Sequence, residues 1–295
     1  MFTGSERVGG EIMGGRWIKF IELPRPHLFV VPATLGVCGV FLACGNPSDI
    51  VLLLAILIPV LAWAGGQVFN DYFDIEVDMI KQPELPIPSG AISKQEAAIY
   101  GLSFYIICLI FAAFTNIYCL IASLMGVSLA NLYGYSGKLK RKGIFRNFCF
   151  GLAVATCILV GSTVSGNVSL LVIVVMIITT LIYTSDNIIG RFPDIESDRR
   201  MNIRTLPLQV GSKPAAKIAF LLTISAICIT MFLWLFGFRI SYLPLAIIAG
   251  MSLIWTNSAV FKDPEKFGTL WIIHARYMSQ ILLYLSFIIG AIGGE

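Results

Sequence analysis

The sequence predicts an all-α, polytopic membrane protein, and three observations predict it. The chain is 57% hydrophobic and only 13% charged, with a mean hydropathy of +0.84, more apolar surface than a soluble core of this length needs. Its apolar residues gather into nine stretches of about the 20 residues that a helix needs to cross a hydrocarbon core. Its 21 basic residues fall almost entirely in alternate loops, the pattern that positively charged cytoplasmic loops impose.

The nine spans run approximately over 27–44, 50–70, 95–115, 117–134, 147–165, 168–190, 214–237, 240–260 and 268–291. Charged or Gly/Pro-marked breaks separate them. Residues 1–26 read as a cytoplasmic N-terminal segment. Glu6, Arg7, Glu11, Arg16 and Lys19 interrupt it, so it lacks the apolar stretch of a cleavable signal and is expected to be retained. Residues 27–291 read as one transmembrane domain with two motif loops, 70–92 and 186–212. The basic residues place the N-terminus and both motif loops on the cytoplasmic side of a cell membrane, with Glu295 opposite. No nucleic-acid partner is expected.

The seven cysteines lie in or beside apolar stretches without C-x-x-C spacing. They read as small buried hydrophobes rather than disulfides or zinc ligands. Ser93-Lys94-Gln95-Glu96 has the form of a capping box opening the third span, and Pro214 fits the first turn of the seventh. His274 and Arg276 interrupt the last span. Arg276 lies close enough to the cytoplasmic edge to be expected to snorkel to the interface.

Chemistry concentrates at two membrane edges. Asn70-Asp71-Tyr72-Phe73-Asp74-Ile75-Glu76-Val77-Asp78 closes the second span, and Asp194-Ile195-Glu196-Ser197-Asp198 follows the sixth. Each runs acid-x-x-x-acid and then reaches a Leu-Pro step and a glycine: Leu85-Pro86 and Gly90, then Leu206-Pro207 and Gly211. The parallel points to two four-helix halves plus a ninth helix, with the motif loops facing each other at the interface of the halves. On a helix, Asn70, Asp74 and Asp78 share one face with Asp71 beside them, and Asp194 and Asp198 share another. Carboxylates at a bilayer cost about 2.5–3.5 kcal/mol each at its centre, unless solvated or neutralised. Ligation by oxygen alone favours Mg²⁺, which binds a few carboxylates together with substrate phosphates. Tyr135-Ser136-Gly137-Lys138 and Arg199, Arg200 and Arg204 supply nearby cations of the kind that pair with phosphate oxygens.

The joint pattern resembles the signatures of the UbiA superfamily of intramembrane prenyltransferases. The first motif, followed by Leu85-Pro86-Ile87-Pro88-Ser89-Gly90, is similar to that family's first signature. Asp194-x-x-x-Asp198 with Ile203-Arg204-Thr205-Leu206-Pro207 is similar to its second, and Tyr135 with Lys138 to the loop between. The likeness runs from Pro24-Arg25-Pro26 to the ninth helix. It implies nine helices around a central cavity that is open laterally to lipid. It also implies Mg²⁺ held by Asn70, Asp74, Asp78, Asp194 and Asp198, gripping a polyprenyl diphosphate. The four aspartates would be the catalytic carboxylates; Asn70, Asp71, Tyr135, Lys138 and Arg204 would contact substrate. Transfer would pass through ionisation of the C1–O bond and attack by a lipid or aromatic acceptor.

Two departures mark this chain. Gln82 and Leu85 stand where many relatives carry arginines. Arg191 stands three residues before Asp194, where many carry an acid, and its charge suits the diphosphate or an acidic acceptor. The stretches Asn70–Ser93 and Tyr135–Asn147 are most similar to archaeal members that transfer a geranylgeranyl group to a glycerophosphate ether lipid. An aromatic-ring prenyltransferase of quinone-type biosynthesis and a terpene cyclase on the same fold are the alternatives. From other classes, a cation transporter would place its acids nearer the midplane. A CDP-alcohol phosphotransferase would carry an Asp-Gly-x-x-Ala-Arg motif that is absent.

Overall fold

The structure is a computed structural model that describes residues 15–135, 143–201, 203–267 and 269–292. The remaining residues, including most of the expected N-terminal segment and Lys138, lie outside it. Among the described residues every regular element is helical. A short helix α1 (15–22) leads through Arg25 and a 3-10 turn, Pro26–Leu28, into α2 (Val30–Cys44). At 15 residues and 1.5 Å per residue, α2 alone reaches only about 22 Å. The segment before it, bent by 46°, completes the first crossing.

Eight further helices are long and apolar enough to cross a membrane. They are α3 (Asp49–Lys81), α4 (Lys94–Thr115), α5 (Ile117–Gly134), α6 (Gly143–Val164), α7 (Leu170–Ile189), α10 (Ser212–Met231), α11 (Leu243–Lys262) and α13 (Leu270–Ala291). Three short helices complete the chain: α8 (Ile195–Arg200), α9 (Leu206–Val210) and α12 (Pro264–Phe267). Counting the bent first pair as one span, the described residues make nine crossings, the number expected.

Local chemistry sets the helix starts. Ser93 Oγ accepts from the Glu96 amide at 3.2 Å while Glu96 Oε2 accepts from the Ser93 amide at 2.9 Å, closing the expected capping box. Asn116 and Ser169 cap α5 and α7 through their side chains. Pro214 lies in the first turn of α10.

The helices pack as a ring in the order α2, α3, α4, α5, α6, α7, α10, α11, α13 and back to α2, with α2 and α6 also meeting across it. That cross-contact is a glycine seam. A Cβ on Gly161 would lie 2.7 Å from the Gly36 carbonyl carbon, and one on Gly39 would lie 2.9 Å from that of Ile158. Only small residues let helix backbones approach so closely in a bilayer. Each half contributes its first helix to the seam, α2 from one and α6 from the other. Leu35, Cys38, Ile158, Ile178, Ala246 and Phe287 lie in the main core beside it.

The outer face is the reverse of a soluble protein's. Phe114 is 88% exposed, and Ile117, Tyr118 and Ile121 beside it are exposed as well. Such a belt is stable against lipid and costly against water. Five cysteines are buried as expected, but Cys44 and Cys228 are exposed.

Candidate active site

At 33 residues, α3 is about 50 Å long, well beyond a hydrocarbon core of about 30 Å. Its surplus turns carry Asn70, Asp74, Asp78 and Lys81 out of the membrane on a continuous helix rather than a flexible loop. The second acidic motif is placed differently. After α7 ends, the chain turns through Arg191 and Phe192, Asp194 precedes α8, and the Asp198 amide donates to the Asp194 carbonyl at 2.8 Å.

Lys81 joins the two arms. Its Nζ donates to Asp198 Oδ1 at 2.6 Å and lies 3.7 Å from Asp194 Oδ2. The Lys81 side chain is 12% exposed and that of Asp198 1%, so this is a buried ion pair across 117 positions of sequence. The sequence reading treated Lys81 only as a loop charge. Its position three residues after Asp78, on the same helix face, was the signal available.

Below the arms lies a cavity of about 400 Å³. Asn70 and Asp194 line its polar end with Arg25, Asn187 and Arg191, while Pro59, Val154, Cys157 and Val160 line its apolar depth. From Asn70 to Pro59 the α3 wall alone spans about 16 Å at helical rise.

The other expected residues are distributed as follows. Asp71 is buried and accepts from Arg25 Nη2 at 2.7 Å, which ties α3 to the segment before α2. Arg25 is held in the left-handed region, φ 54° and ψ 64°, unique among the described non-glycine residues, a conformation that costs about 1–3 kcal/mol. Tyr135 is exposed and packs edge-on against Phe73 at 5.9 Å between ring centroids. Arg204 is exposed and borders a separate surface hollow with Arg199 and Gln209.

The tyrosine facing the cavity is instead Tyr133. Its hydroxyl accepts from Asn187 Nδ2 at 3.0 Å and Arg191 Nη2 at 3.1 Å, and the Arg146 guanidinium lies 4.6 Å from its ring centroid. Arg191 therefore reaches the cavity, as its unusual place in the motif suggested it could.

Arg276 does not snorkel. It is 1% exposed, with Nε 2.6 Å and Nη2 2.5 Å from Asp186 Oδ1, and Nη1 donates to Thr256 Oγ1 at 3.3 Å. Gln280 Nε2 donates to the other oxygen of Asp186. Both Asp186 and Arg276 line the cavity. An opposite charge on a neighbouring helix removes the incentive to reach for the interface, and the sequence reading had not paired the two.

An apolar helix-walled cavity, with two acidic arms meeting at its polar end, is the architecture of an intramembrane prenyltransferase. The chain belongs to the UbiA prenyltransferase family, whose model matches residues 29–269, and it is a membrane-embedded enzyme that transfers prenyl groups. It is 32% identical over 248 residues to the digeranylgeranylglyceryl phosphate synthase of Pyrococcus abyssi, covering 83% of this chain and 88% of that enzyme. To the enzyme of the same name from Korarchaeum cryptofilum it is 32% identical, over 83% of this chain and 87% of that one. A solved digeranylgeranylglyceryl phosphate synthase structure superposes with a TM-score of 0.76 at 26% identity, covering 94% of this chain and 99% of that one. A UbiA homologue from Archaeoglobus fulgidus, solved bound to GPP and Mg²⁺, has the same fold with a TM-score of 0.73 at 19% identity, covering 93% of this chain and 99% of that one.

Proposed function

We propose that this enzyme transfers a geranylgeranyl group from its diphosphate to the free hydroxyl of a glycerophosphate ether lipid, with Mg²⁺ as cofactor. The observation that carries the reading is the meeting of the two acidic arms over the polar end of the apolar cavity. Donor and acceptor follow the names of the relatives from Pyrococcus abyssi and Korarchaeum cryptofilum. The metal follows the homologue solved with GPP and Mg²⁺.

The residues present fit that ion. All the expected ligands, Asn70 and Asp74 and Asp78 on α3 and Asp194 and Asp198 opposite, offer hard oxygens. Asp198 Oδ2 is buried with no hydrogen-bond partner. The Lys81 ammonium between Asp194 and Asp198 marks where the arms stabilise positive charge. No three acidic, histidine or cysteine side chains converge among the described residues; an ion held here would need waters and substrate phosphates to complete its shell. Bound Mg²⁺ supplies charge neutralisation to the diphosphate as the C1–O bond breaks.

This chain's own residues do the rest. With Mg²⁺ bound, the carboxylate arms would hold the diphosphate at one end, placing C1 where the polar rim gives way to apolar wall. Lys81 and Lys138 contribute positive charge for the departing oxygens, the latter assigned on its place in the loop alone. Asp71 supports the site through Arg25, while Tyr135 and Arg204 stand outside the cavity lining. Phe150, Val154 and Val160 exclude water that would quench an allylic cation. The acceptor oxygen then bonds to C1 and its proton passes to the released diphosphate. We place the N-terminus and both motif regions on the cytoplasmic side, on the distribution of Lys and Arg.

Purified protein incubated with Mg²⁺, geranylgeranyl diphosphate and a panel of glycerophosphate lipids and aromatic acids, read by mass spectrometry, tests the assignment. A product heavier than the glycerophosphate lipid by one prenyl group is expected. Prenylation of an aromatic acid alone, or full Mg²⁺-dependent activity in a folded Asp74→Ala variant, would overturn it.

A further inference from the structure

Around the polar end of the cavity, Arg191 on its wall and Arg146 behind Tyr133 carry charge that no carboxylate among the described residues contacts. Arg25 is compensated by Asp71, Arg276 by Asp186, and Lys81 by Asp194 and Asp198. Arg146 and Arg191 have no carboxylate within ion-pair distance among the described residues; each is turned toward Tyr133 instead. Arg146 is 5% exposed, and its Nε is buried without a hydrogen-bond partner. Placing two guanidiniums beside one phenol is unfavourable unless an anion completes the group. The Tyr133 hydroxyl already accepts two hydrogen bonds, from Asn187 and Arg191, so its own proton remains available to donate. Asn187 Oδ1, on the same cavity wall, is a buried acceptor with no donor.

We propose that Arg191, Arg146 and Tyr133 form the subsite for the phosphate of the acceptor, and that Asn187 Oδ1 receives the hydroxyl that attacks C1. The assignment rests on the glycerophosphate reading of the acceptor and extends it. A donor diphosphate held through the acidic arms leaves these two guanidiniums without an anion in direct contact, Asp194 and Asp198 acting on them only at a distance. A phosphomonoester has no carboxylate-bound metal of its own and needs such a fork of donors. In a glycerophosphate with one free hydroxyl, anion and hydroxyl are a few bonds apart. The site offers the matching pair, a cationic donor group and an unfilled acceptor, both gathered at Tyr133. Arg191 lies three residues from Asp194, so the acceptor would be held beside the roof under which the donor ionises.

Steady-state kinetics of Arg191→Gln and Arg191→Lys test this, together with calorimetric binding in EDTA of geranylgeranylglyceryl phosphate and of its dephosphorylated alcohol. In Arg191→Gln the KM for the phosphorylated acceptor should rise about 10- to 100-fold, the range expected for one lost charge-assisted contact. The KM for geranylgeranyl diphosphate should stay within about twofold, and Arg191→Lys should fall between. Without metal, the wild-type protein should bind the phosphorylated acceptor at least tenfold more tightly than the alcohol. The calorimetric preference is measured on wild-type protein and stands even if Arg191→Gln does not fold. A rise confined to the diphosphate KM, or equal metal-free binding of phosphate and alcohol, would assign the cluster elsewhere. Failure of the acceptor reading itself has a different signature: wild-type protein would neither bind nor prenylate the glycerophosphate lipid while prenylating another acceptor.

Discussion

Replacing Arg276 with Met should destabilise this protein more than replacing Arg276 and Asp186 together. Arg276 is 1% exposed and the Asp186 side chain 11%, so Arg276→Met leaves a carboxylate inside the helix bundle with, among the described residues, only the Gln280 side chain to donate to it. Removing one member of a buried pair costs about 3–5 kcal/mol, whereas replacing both with apolar groups of similar volume is close to neutral. The double variant Asp186→Leu with Arg276→Met should therefore recover most of the loss, leaving it several kcal/mol more stable than the sum of the two singles. At about 2–4 °C per kcal/mol, the single variant should melt on the order of 10 °C below wild type in detergent, and the double within about 4 °C. Thermal unfolding of the four proteins by intrinsic fluorescence makes the measurement. A double variant as unstable as the sum of the singles would refute the pairing argument, because it would mean that each residue acts through contacts other than the other's charge.

Two further perturbations separate the roof from the seam. Lys81→Met should lower thermal stability in EDTA by about 3 kcal/mol, because Asp198 is left buried and unpaired. It should also tighten Mg²⁺ binding in the absence of diphosphate, since the ion no longer competes with an internal ammonium; weaker binding by calorimetry would make Lys81 a helper of the metal rather than its placeholder. Gly161→Ala places a methyl 2.8 Å from the Gly36 Cα and should cost about 1–3 kcal/mol, read as a lower midpoint in detergent. A wild-type midpoint would mean that the α2–α6 contact is looser than described.

The fold was legible because the bilayer simplifies the code. Apolar runs of spanning length and the sorting of basic residues both follow from one solvent boundary, so nine crossings could be drawn from hydropathy. The first crossing was the least regular, because Arg25 turns the chain before α2. The carboxylates were legible by spacing, since Asn70, Asp74 and Asp78 repeat every four residues on one helix. Partners between helices were not. Nothing local says that Asp186 meets Arg276 ninety positions later, or that Lys81 crosses to Asp198. A buried ion pair is a property of packing, and each half in isolation reads as a nuisance charge. Tyr133 and Tyr135 differ only in helical phase, which the break after Gly134 obscures; the structure turns Tyr133 inward and leaves Tyr135 outside the cavity lining.

The glycine seam between α2 and α6 has a consequence for how this enzyme can diversify. At Gly36, Gly39 and Gly161 the backbones themselves touch, so no side chain there can be trimmed to lengthen the cavity, and none can be enlarged to shorten it. The seam is thus fixed in length and spacing. Selection for longer or shorter prenyl tails must act on side chains away from it that line the cavity, such as Ser123 and Ala130 on α5. Attempts to retune chain length should start there, where volume can change without parting the two halves.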